Sequence, residues 1–124
     1  MIEKINRELV RISNLSGLTT IDDYIDLKSK TLYVGEIYRL RTKGTKTYPK
    51  KNFYTTLYLF EADNKKASLY NEADKFLTLL EEEFFKDEKE YNISYNIQRE
   101  ASQKIYSDKG KFYQYSIQLY ITVY

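Results

Sequence analysis

The chain has 124 residues, 42% hydrophobic and 31% charged, with a net charge of +2 and neither cysteine nor histidine. Without those two residue types there are no disulfides, thiolate metal sites or cysteine nucleophiles, and the commonest general base is missing, so catalysis would fall to carboxylates, lysine or tyrosine. No apolar run approaches the ~20 residues of a membrane span and the N-terminus has no signal-like apolar stretch, so the composition reads as one soluble domain, starting at Met1, with no membrane partner.

In chain order, Ile2, Ile5, Leu9 and Ile12 fall on one stripe of a helix that runs to about Asn14, with Glu3, Lys4, Arg7, Glu8 and Arg11 on its wet side and Gly17 as its stop. The following "TTIDDYIDLKSK" fits a short helical turn or an irregular connection and is left open. Residues 31–41, "TLYVGEIYRLR", read as a strand of imperfect alternation, with Tyr33, Gly35, Ile37 and Arg39 on one face and Leu32, Val34, Glu36, Tyr38 and Leu40 on the other. "TKGTKTYPKKN" is a loop, because Gly44 and the single proline, Pro49, sit among short polar residues.

"FYTTLYLFE", residues 53–61, is apolar on both faces, which suggests an interior strand. The period then lengthens. Leu69, Ala73, Phe76, Leu77, Leu80 and Phe84 predict a helix from about Lys65 to Phe85, with Asn64 as its N-cap. "EYNISYNIQRE" alternates Tyr91, Ile93, Tyr95 and Ile97 against Asn92, Ser94, Asn96 and Gln98. "ASQKIYSDKGK" reads as a connection turning at Asp108 to Gly110, with Lys104 to Tyr106 able to extend a strand. The closing strand sets Tyr115, Ile117, Leu119, Ile121 and Val123 on one face. The order α-β-β-α-β-β predicts an α+β fold, a two-layer sandwich with two helices packed on one face of a mostly antiparallel sheet.

Four constellations bear on function. Arg39, Arg41, Lys43, Lys46, Lys50 and Lys51 accumulate without one acid, which suits a solvated loop, a contact with an acidic protein surface, or a grip on phosphates, in that order. Glu81, Glu82, Glu83, Asp87, Glu88 and Glu90 outnumber two lysines around the end of the second helix; contiguous carboxylates point in different directions and make a poor metal site. One basic and one acidic edge on one small domain are what a head-to-tail ring uses. Tyr54, Tyr58, Tyr120 and Tyr124 share a sheet face, read first as packing or a subunit contact and second as a stacking platform for bases. Asp22, Asp23 and Asp26, with no histidine partner, read as surface acids.

The order of elements resembles the tail terminator proteins of long-tailed bacteriophages, a family that includes tail-to-head joining and so-called minor capsid proteins of phages from Gram-positive hosts. The resemblance lies in pattern and spans nearly the whole chain: the first helix "IEKINRELVRI", the strand "FYTTLYLFEAD" leading straight into the helix "ASLYNEADKFLTLLEEEF", and the closing strand "YSIQLYITVY". It implies a hexameric ring that caps the tail tube and joins it to the head. Tail-tube and head-completion proteins would be its partners, DNA would be passing cargo, and neither catalysis nor a cofactor would be involved. The protein would reside in the virion tail or neck, and in the host cytoplasm during assembly. The loop from Thr42 to Asn52 and the acidic helix end would be contact elements. The competing expectation is a small nucleic-acid-binding or regulatory domain that uses residues 39–51 and the tyrosine face.

Overall fold

The computed structural model describes residues 1–23, 26–40, 50–89 and 92–124. The first apolar stripe becomes helix α1 (Ile2–Leu15), which buries Ile5, Leu9 and Ile12, whereas Ile2 at its start is 44% exposed. Gly17 ends it in the left-handed region at φ 83°, with the Leu18 N–H donating to the Ser13 carbonyl at 3.0 Å. That backward bond satisfies a helix-end carbonyl, and glycine adopts the conformation without a Cβ penalty.

The stretch left open by sequence contains a short strand, β1 (Thr19–Ile21), parallel to β2 (Thr31–Val34). The strand expected over 31–41 is in two pieces, β2 and β3 (Tyr38–Leu40), both antiparallel to β4 (Lys51–Ala62). Val34 lies opposite Leu57 and Tyr38 opposite Tyr54, so this side has one more residue than its partner. Such a bulge turns the following side chains over. Tyr33 and Tyr38, assigned to opposite faces by simple alternation, therefore share one. Gly35 sits at the break, where its N–H donates to the Thr56 carbonyl at 2.8 Å and an added Cβ would lie 2.7 Å from that same oxygen.

β4 runs directly into α2 (Lys66–Glu83), which buries Leu69, Ala73, Phe76 and Leu80. The N-cap residue is Lys65, without a side-chain cap bond, in place of the expected Asn64. The helix also stops two residues short of the expected Phe85, because Phe84 is extended and Phe85 left-handed at φ 52°. The expected turn at Asp108 to Gly110 is present, but the rest of the expected connection over 101–111 is strand: β5 (Ile93–Ser107) and β6 (Gly110–Val123) pair along their whole length. Gln98 is a second extra residue, since Ile97 pairs with Leu119 and Arg99 with the adjacent Gln118.

Among the described residues the strands form one sheet in the order β1-β2-β4-β6-β5, with β3 beside β4. The result is the expected α+β sandwich: two helices on one face of a sheet whose pairings, apart from β1 with β2, are antiparallel. α1 and α2 share a buried cluster with Leu32, Phe53, Leu57, Leu59, Ile117, Leu119, Ile121 and Val123. β6 lies between β4 and β5, and even the Tyr124 N–H donates to the Asn92 carbonyl at 2.9 Å. Full burial of an aliphatic side chain contributes roughly 1.5–3 kcal/mol, so Ile117, Leu119, Ile121 and Val123 anchor this strand firmly. A smaller cluster, Ile21, Leu27, Phe60 and Phe112, lies on the opposite face, where the segment between β1 and β2 contributes Leu27.

Candidate functional site

Glu81, Glu82, Glu83, Asp87 and Glu88 all lie at the C-terminal end of α2, and helix α1 reaches them there. Arg11 bridges Glu8 at 2.6 Å and Glu83 at 3.5 Å, and donates to the Glu83 carbonyl at 2.7 Å. The Phe85 N–H, freed by the helix ending, donates to Glu8 Oε1 at 2.9 Å. Burial by itself would push the Glu8 carboxyl up, but the Arg11 hydrogen bond, the Phe85 N–H and the Arg11 charge outweigh it and hold its pKa below the ordinary value. Glu83 is further paired with Lys86 at 3.5 Å, while Glu81 and Glu82 stay exposed. A cavity of about 370 Å³ opens beside this network, lined by Lys4, Arg7, Arg11, Phe85, Asp87 and Glu88.

Of the basic run, Arg39, Lys50 and Lys51 are exposed, and Lys50 Nζ lies 5.3 Å from the centre of the Tyr124 ring. Arg41, Lys43 and Lys46 lie outside the described residues. The two charged groups share one end of the sheet. Phe84 packs edge-on against Tyr95 at 5.3 Å, and Tyr95 stands in one register row with Ile121 and Phe53, two residues from Lys51. Burial, then the charge of Glu81, raises the Tyr95 pKa. Arg39 is on β3 across the sheet, so β4 and β6 intervene, a separation of roughly 14 Å at the usual strand spacing.

On the face without helices, Tyr38, Tyr54 and Tyr120 stand in a row across β3, β4 and β6, with ring centres 6.5 and 5.0 Å apart. Tyr58 pairs instead with Tyr33 at 6.1 Å. A notch of about 210 Å³, lined by Tyr33, Gly35, Glu36, Tyr38, Thr56 and Tyr58, opens at the bulge. Near Asp22, Asp23 and Asp26, the Asp26 N–H donates to the Asp23 carbonyl at 3.1 Å. Among the described residues no group of three or more aspartates or glutamates is placed to hold a metal ion.

One charged group escaped the sequence reading. At the start of α2, Lys66 Nζ lies 5.9 Å from the Tyr70 ring and 5.7 Å from the Tyr113 ring. Lys104 Nζ lies 5.8 Å from Tyr113 and 3.1 Å from Asp63, and Lys111 Nζ lies 5.7 Å from Tyr106. The hydrogen bond with Asp63, then its charge, raises the Lys104 pKa. Beside them the Tyr115 hydroxyl donates to Glu100 at 2.8 Å, and its pKa is pushed up to about 12 by burial and by that bond. These residues come from three elements, and the extra residue at Gln98 sets Lys104 on the helix side; no local spacing announces them. Neither a protein-family model nor a curated protein matches the sequence.

Proposed function

We propose that this chain is a structural assembly protein of the phage tail-terminator kind, one that forms a hexameric ring, caps a tail tube and joins it to the head. The observation that carries the reading is the asymmetry of the sheet. Its helices cover one face, while the outer strands β5 and β3 and the row Tyr38, Tyr54 and Tyr120 are left for neighbours. Exposed strand edges pair readily with other chains, and exposed aromatic rings supply contact area at low entropic cost. The work of such a protein is recognition by complementary surfaces; it needs no reaction and no cofactor.

The test is sedimentation velocity over a concentration series, with and without assembled tail tubes, followed by electron microscopy of the particles. Rings of one size, free or on tube ends, are the expected result. A monomer under both conditions would overturn the proposal.

A second reading, a nucleic-acid-binding domain, is favoured by one observation: Lys50 Nζ lies 5.3 Å from the ring of Tyr124, four residues beyond Tyr120 of the tyrosine row. Stacking platforms flanked by cations bind single strands with a steep salt dependence. Fluorescence anisotropy of a labelled single-stranded oligonucleotide at rising salt distinguishes the two, since the assembly reading expects no salt-sensitive binding.

A further inference from the structure

A head-to-tail ring requires two complementary surfaces on opposite sides of the subunit, so that each copy engages two neighbours at once. The acidic end of α2 and the flank of the basic run at Arg39, Lys50 and Lys51 share one end of the sheet. The lysine–tyrosine patch does not. Lys66 opens α2 and Glu83 closes it, an 18-residue helix that separates the two ends by roughly 27 Å, several Debye lengths at physiological salt.

Among the described residues each pole keeps unpaired charges of one sign, Lys66 and Lys111 at one and Glu81 and Glu82 at the other, beside paired residues of both signs. At the patch, Lys66 and Lys111 have no carboxylate partner among the described residues, Lys65 is exposed beside Lys66, and Lys104 is paired with Asp63. The first turn of α2 holds no acidic residue, so its positive dipole end adds to the same sign. At the other end Glu81 and Glu82 have no ion-pair partner among the described residues, and the negative end of the dipole adds to theirs. The patch also offers apolar area, since Tyr106 is 72% and Tyr70 40% exposed.

Resting on the assembly reading, we propose that Lys66, Lys104 and Lys111, with Tyr70 and Tyr106, receive the acidic α2 end of a second copy of this chain, so that neighbours meet pole to pole. The basic run that the sequence singles out is not the receiving surface. Carboxylates entering among ammonium groups already set over aromatic rings gain charge-assisted hydrogen bonds, while the rings exclude water from the contact.

The experiment compares four folded variants with wild type by sedimentation velocity at low salt, each with its melting temperature measured first. Lys66→Glu/Lys111→Glu and Glu81→Lys/Glu82→Lys are each expected to weaken assembly roughly tenfold or more. Mixed in equal amounts they are expected to recover it, because reversed poles then meet in alternation. Lys50→Glu/Lys51→Glu is expected to assemble like wild type, and Lys66→Gln/Lys111→Gln, which removes charge without reversing it, to fall between. If wild type assembles and the Lys66→Glu/Lys111→Glu protein does so equally, the patch is not the contact, although assembly stands. Loss only in Lys50→Glu/Lys51→Glu returns the contact to the basic run. Wild type that stays monomeric even on tail tubes removes both ideas. Salt-sensitive oligonucleotide binding that Lys66→Glu/Lys111→Glu abolishes, with assembly intact, makes the patch a nucleic-acid surface and overturns the proposal.

Discussion

On the helix side of the sheet, Leu57, Ile117 and Leu119 are wholly buried in one cluster with Phe76 and Leu80 from α2 and Leu9 from α1. On the other side, among the described residues, Phe60 and Phe112 are buried with only Ile21 and Leu27 besides, and Tyr38, Tyr54 and Tyr120 belong to neither cluster. The same strands supply both faces, β4 offering Leu57 and Leu59 to one and Tyr54, Tyr58 and Phe60 to the other. The contrast separates two duties. One face holds the chain together, and most of the other is stable enough to present without being spent on folding.

The comparison breaks most readily in the main cluster. Phe76→Ala is expected to cost about 3–5 kcal/mol in urea unfolding, whereas Leu27→Ala in the small cluster should cost about 2 kcal/mol, because a surface connection can collapse onto the space left. Equal losses would show that the second cluster is no lesser core. A smaller effect concerns how the helices are tied. The Glu8 carboxylate has a lowered folded pKa, so the stability it contributes is full above the unfolded value of about 4.3 and is lost as pH falls through the folded one. Wild type should therefore exceed Glu8→Gln in urea midpoint at neutral pH and converge with it in acid; a gap that persists in acid would mean that packing, not charge, is at work. Smallest of all, Tyr38→Ser should alter stability by less than about 0.5 kcal/mol, since the ring is 56% exposed. A larger loss would make the tyrosine row part of the fold and remove it from the surface left for partners.

Much of this architecture is legible in the residues. The 3.6-residue stripes of α1 and α2 and the alternation along the last part of β6 survive because each meets one buried surface, and β4, apolar on both faces, is the interior strand that this composition suggests. What hides is whatever depends on a partner strand. The extra residues between Val34 and Tyr38 and at Gln98 are defined by register, and β1 is too short to show a period. The early stop of α2 follows the same rule, since the carboxylate that takes the Phe85 N–H is Glu8, far away in sequence. The acidic helix end was legible as a run. The lysine–tyrosine patch was not, because Lys66, Lys104 and Lys111 meet only once α2, β5 and β6 are in place.

The extra residue at Gln98 gives the outermost strand a spare position. Were it deleted, Ile97 and Arg99 would become neighbours opposite Leu119 and Gln118, which are already adjacent, so Glu100, Ser102 and Lys104 would keep their partners and stay beneath α2. A loss of one triplet, ruinous to phase in the middle of a regular strand, would at this point only smooth the ladder.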